Sequence, residues 1–265
     1  MASQSPRLWP CPPGNSPRPL PTGPILFTMR EIIDLKPHNM PVADSLNLDD
    51  LREYFSLFTL PDGKILGDLI DFSKRRPLLV MGELANPYRL CDIMAPDMPI
   101  IQVRIENICR TWADSLDSRE VQPGIHHITM ARLPGWWEMT HLTMVEPADL
   151  KRIVQWLDGP NPNNWLPKRI AEGTIRLEEN YQLSPPDQEK LEWDGVTENV
   201  LQDIPPASGP SLDLSTIIVP IHTRMGCYNS RGRIVKCVHT PQTKFHEDLF
   251  RRGSSFKWSD ILSFL

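Results

Sequence analysis

The chain has 265 residues, 40% of them hydrophobic and 23% charged, with a net charge of −5; such usage supports an ordinary buried core and excludes collagen-like or wholly disordered classes. Proline outnumbers glycine by 28 to 14, and because it fixes φ and removes a donor it favours short elements over long helical bundles or doubly wound parallel sheets. No apolar run approaches the roughly 20 residues of a membrane-spanning helix, and the five scattered cysteines suit a reducing, cytoplasmic or nuclear setting better than a disulfide framework.

Residues 1–24 are proline-rich and hold almost no aliphatic side chains, so they read as a disordered or polyproline-II head, with folded structure expected from about Ile25. Asn47 has the chemistry of a helix N-cap. Asp49 and Asp50 follow it in the first turn, and Leu48, Leu51, Phe55 and Phe58 make one apolar face. Residues 100–106 alternate, with Ile101, Val103 and Ile105 on one side and Gln102, Arg104 and Glu106 on the other, the pattern of a half-buried strand. Residues 125–132 and 136–145 alternate around Pro134-Gly135 and read as an antiparallel hairpin. Pro147 suits the first turn of a helix whose inner face is Leu150, Ile153, Val154 and Leu157. Thr174 to Glu179 reads as a strand, and Ser184-Pro185-Pro186-Asp187 as a capping box leading into a helix through Leu191. Residues 203–211 read as a linker or long loop. Strands are expected at 214–221 and 233–239, a short helix around Phe245, Leu249 and Phe250, and an apolar tail docked on the body. The sum is an α+β protein, mainly antiparallel sheet with several short helices. It divides into the head, a body over 25–202, the 203–211 segment, and a basic hairpin-plus-helix module over 212–265 packed on that body.

Four patterns carry candidate chemistry. His127-Ile128-Thr129-Met130 and His141-Leu142-Thr143-Met144 resemble the paired His-x-Thr motifs of two-histidine phosphoesterases. The resemblance implies that His127 and His141 act as base and acid while Thr129 and Thr143 hold the phosphate. A hairpin at Pro134-Gly135 would bring the two motifs together across adjacent strands, though only 14 positions separate the histidines and the family spreads its motifs across a domain. Cys227, Cys237 and His239 are zinc-ligand types within one expected hairpin, with His222 at the opposite strand parity. No cofactor is implied beyond that alternative. The head carries a basic residue before PxxP twice, at Arg7, Pro10 and Pro13 and at Arg18, Pro21 and Pro24, a pattern that docks in aromatic-lined grooves. Residues 221–265 hold eight Lys/Arg against three acidic side chains, while the rest of the chain holds twenty basic and thirty acidic. Arg224, Arg231, Arg233, Lys236, Arg251 and Arg252 therefore form a candidate anion-binding face for nucleic acid or an anionic membrane surface, or one that docks on the acidic body of its own or a neighbouring copy.

Signatures for phosphate loops, dinucleotide folds, serine hydrolases and zinc proteases are missing. The balance favours a non-enzymatic binding or assembly protein with protein partners, in the style of a viral matrix-like or accessory protein, with homo-oligomers allowed. A phosphoesterase and a small zinc-stabilised module are the alternatives.

Overall fold

The computed structural model describes residues 20–116, 126–160, 162–224, 233–248 and 258–265. In chain order these form β1 (Ile25–Phe27), β2 (Ile32–Asp34), α1 (Leu48–Ser56), β3 (Arg76–Leu79), α2 (Pro87–Ile93), β4 (Met98–Leu116), β5 (His126–Val145), α3 (Pro147–Asp158), β6 (Trp165–Lys168), β7 (Thr174–Leu177), β8 (Leu191–Trp193), β9 (Glu198–Val200), β10 (Ser211–Asp213), β11 (Val219–His222), α4 (Gln242–Asp248) and α5 (Trp258–Ile261). The architecture is α+β and the strand pairing is antiparallel. The main sheet runs β10-β7-β4-β1-β2, with β5 on the other edge of β4 and β3 beyond β5.

The spine is the β4–β5 ribbon, which runs in register from Ile100↔Thr143 to Glu106↔Trp137, and again from Ile108↔Arg132 to Trp112↔Ile128. Between the two stretches β4 supplies only Asn107, while β5 supplies Leu133, Pro134, Gly135 and Trp136. Such an insertion is a β-bulge, which bends a ribbon without ending it. Asn107 takes φ 64 and Gly135 φ 78, conformations that Gly and Asn tolerate best. The Gly135 N–H donates to Asn107 Oδ1 at 2.9 Å. Pro134 sits where no ladder donor is required. The expected hairpin at Pro134-Gly135 therefore does not form; both halves pair with the same partner strand.

Both faces of the sheet are covered. Leu26, Ile101, Val103 and Ile105 face one apolar cluster with α1 residues Leu51, Tyr54 and Phe55, and Ile25, Phe27, Met98 and Ile100 face a second with Leu90, Ile153 and Leu157. Helix α1 begins as its sequence dictates. Asn47 accepts from the N–H groups of Asp49 and Asp50, and Asp50 accepts in return from the Asn47 N–H, which closes a capping box. The tail packs too. Ile261 and Leu262 are buried, and Ser263 and Leu265 bond the backbone of Ala171 and Arg169.

Other local expectations shift. Residues 188–190 make only a 3-10 turn before β8, since Asp187 provides no side-chain cap there. Of the expected strand at 214–221, residues 214–216 are a 3-10 turn and 219–222 are β11. Lys236 reaches β4 through an isolated bridge to Thr111, and no regular strand covers 233–239. Ordered structure reaches back to Leu20, ahead of Ile25. No helix among the described residues is long and apolar enough to cross a membrane.

A candidate binding groove over a buried charge network

Strand parity puts Gln102, Arg104 and Glu106 on the face of β4 away from Ile101, Val103 and Ile105. Arg104 lies directly opposite Arg176 of β7, a pairing of like charges that is unfavourable by itself. Two carboxylates relieve it. Arg104 Nη2 is 2.7 Å from Glu106 Oε1, Arg176 Nε is 3.1 Å from Glu106 Oε2, and Arg104 Nη1 is 3.4 Å from Glu178 Oε2. The result is a neutral chain of alternating charge, in which Arg104 is only 1% exposed and Glu178 3%.

These charges are buried because residues 204–210 cross over them as a strap. Arg104 Nη1 donates to Pro205 O at 2.9 Å, Ser208 Oγ donates to Glu178 Oε1, the Glu179 N–H donates to Ser208 Oγ at 2.7 Å, and the Leu177 N–H donates to Pro210 O at 3.1 Å. Gly209 permits the close approach, because a Cβ there would stand 2.8 Å from Leu177 O. Arg104 Nε has no hydrogen-bond partner among the described residues. Buried ion pairs lose hydration that their attraction only partly restores, so such a network fixes geometry more than it adds stability.

The strap is one wall of a groove of about 850 Å³. The other wall is residues 41–44, tied to β10 through Ser211 N–H to Asp44 O at 3.0 Å and Leu46 N–H to Ser211 O at 2.8 Å. Arg104, Glu106 and Arg176 form the floor, and four of the lining residues are prolines: Pro41, Pro205, Pro206 and Pro210. Val42 stands fully exposed on the ridge. Beyond the ridge, a smaller hollow of about 310 Å³ shares Pro41 and Ala43 and backs onto α1.

His141 is buried, and its Nε2–H donates to Pro21 O at 2.9 Å. Burial holds its pKa down to about 4. His127 stacks on His222 with centroids 5.1 Å apart and meets Trp165 edge-on. Thr143 Oγ1 donates to Pro99 O, while Thr129 is buried. The contacts of His127 are with Trp165 and His222 and that of His141 is with Pro21 O.

Cys237 is buried beside Arg110 and Cys109, and burial pushes its thiol up. His239 Nε2–H donates to Pro186 O at 2.8 Å and sits edge-on to Trp136. Cys227 lies outside the described residues. Among the described residues no three His, Cys, Asp or Glu side chains gather as a metal site would need.

Two cations of the basic block, Arg233 and Lys236, meet one carboxylate. Arg233 donates to Glu198 Oε1 at 2.6 and 3.1 Å, and buried Lys236 pairs with Glu198 Oε2. These two cations share an internal carboxylate, with Lys236 buried and the Arg233 side chain partly exposed. Arg224 is exposed, and Arg231, Arg251 and Arg252 lie outside the described residues. Arg7, Pro10, Pro13 and Arg18 lie outside them as well. Pro21 and Pro24 of the second PxxP copy are buried and their carbonyls are taken by His141 and by the Leu35 N–H.

The groove was missed because 203–211 reads as a connector. One signal for it is present, the Arg-x-Glu spacing of Arg104/Glu106 repeated at Arg176/Glu178 in two strands. Comparison of the chain with protein-family models, curated proteins and solved structures gives no match.

Proposed function

We propose that the chain is a non-enzymatic binding protein that seats an extended peptide segment of a protein partner in the groove between residues 41–44 and the strap. The groove itself carries this reading: about 850 Å³ of open space, walled by prolines over a floor locked by ion pairs. Prolines give apolar rings and no N–H donors, and the carbonyls of Pro205 and Pro210 already accept from Arg104 and the Leu177 N–H. An extended peptide brings its own donors and apolar side chains, and so complements such walls. Glu106 and Glu178 lie against guanidinium groups, which suits a fixed recognition surface better than proton transfer. A preformed floor limits the ordering cost of binding.

The test is a displayed library of random peptides panned against the full chain and against Ala207→Trp, which fills the groove from the strap. Peptides enriched on the native chain should bind the variant at least about ten-fold more weakly, or 1.4 kcal/mol. Equal binding to both, or no enrichment on either, would contradict the proposal.

A further inference from the structure

We propose that the peptide seated in the groove carries an acidic side chain whose carboxylate pairs with the guanidinium of Arg176. This rests on the groove reading and names the chemistry of its ligand.

The ion pairs of the floor form a line with two unlike ends. In order they are Glu178, Arg104, Glu106 and Arg176. The Glu178 end is sealed. Its Oε1 accepts from Ser208 Oγ and from the N–H groups of Glu179 at 3.1 Å and Asn180 at 3.4 Å, and its Oε2 faces Arg104 Nη1. The Arg176 end is open. Its Nε donates to Glu106 Oε2 at 3.1 Å, and neither Nη1 nor Nη2 has a partner among the described residues. The Arg176 side chain is 32% exposed, against 8% for Glu106 and 1% for Arg104. The charge that the floor shows to the groove is therefore a cation, and the next member of an alternating line is an anion.

A carboxylate matches the open nitrogens in plane and in charge, and its oxygens accept bonds from the guanidinium edge. Glu106 already holds the Nε side, so the guanidinium is fixed in advance and loses less freedom when the ligand arrives. Asp44 is the other charge among the described lining residues, and it is exposed on the wall at 41–44. Like charges repel, so Asp44 disfavours a run of acids or a phosphate dianion and favours a single carboxylate.

The experiment measures the affinity of peptides enriched by panning on the native full chain, each made with its acid intact and with the matching amide. The proteins are the native chain, Arg176→Gln and Arg176→Lys, each checked for its fold by circular dichroism. The enriched peptides should share one Asp or Glu. Replacing it by Asn or Gln should weaken binding to the native chain about ten-fold, and to Arg176→Gln less than about two-fold. Arg176→Lys, which keeps a cation beside Glu106 without the planar edge, should show an intermediate loss. Asp44→Asn should bind as tightly as the native chain or more so, and peptides with free and amidated C-termini should bind alike. Enriched peptides that share no acid, an acid whose loss costs the same on all three proteins, or an affinity that follows the C-terminal carboxylate would overturn the assignment. Peptides that are lost on Ala207→Trp but ignore Arg176 would remove this inference and leave the groove, whereas peptides indifferent to Ala207→Trp would remove both.

Discussion

Replacing His141 with glutamine should flatten the acid limb of the stability profile. The imidazole is 3% exposed, its Nε2–H is committed to Pro21 O, and burial lowers its pKa from 6.5 to about 4. Above pH 6.5 the ring is neutral in both folded and unfolded chains and contributes no slope. Between 6.5 and 4 the unfolded chain takes up a proton that the folded chain refuses, so stability falls with acid by about 1.4 kcal/mol per unit. Below 4 both states are protonated and the effect levels off. Glutamine keeps an N–H donor for Pro21 O but does not titrate. Urea unfolding of both proteins at a series of pH values isolates the residue, since all other groups cancel in the difference. The stability of the native chain relative to His141→Gln should decline by about 2.5 kcal/mol from pH 7.5 to pH 4.5. A difference constant across that range would refute the reasoning.

Glu198→Ala leaves Arg233 and buried Lys236 without their carboxylate, and should cost about 3–5 kcal/mol in urea unfolding. Glu138 holds buried Arg110 through contacts of 2.9 Å from both Nε and Nη2. Glu138→Ala should cost a similar ~3–5 kcal/mol, whereas the double replacement Arg110→Met with Glu138→Leu should recover most of that loss. Gly173→Ala would place a Cβ 2.6 Å from Ile108 Cγ1 at φ +85, and should lower stability by about 2 kcal/mol or more in thermal or urea unfolding.

Where local chemistry decides, the sequence was readable. Asn47 caps α1 because its side-chain oxygen faces two free N–H groups, and residues 101, 103 and 105 line the core because strands alternate. The misreadings arise where distant residues decide. Pro134-Gly135 has turn composition, but whether it reverses the chain depends on Asn107, 28 positions earlier, accepting the Gly135 N–H across the ribbon. Arg104 and Glu106 look solvent-facing until the strap, a hundred residues later, covers them. Lys236 reads as a surface cation until Glu198 is seen beneath it. The hairpin expected to join the paired histidine motifs is absent for the same reason, because its turn is a bulge.

The most direct test of the groove as a binding surface is amide hydrogen exchange of the full chain with and without a peptide enriched by panning. Slowed exchange at residues 204–210 and 42–44, lost in Ala207→Trp, is the predicted result. Protection confined to other segments, with the strap and the 42–44 ridge unchanged, would contradict it.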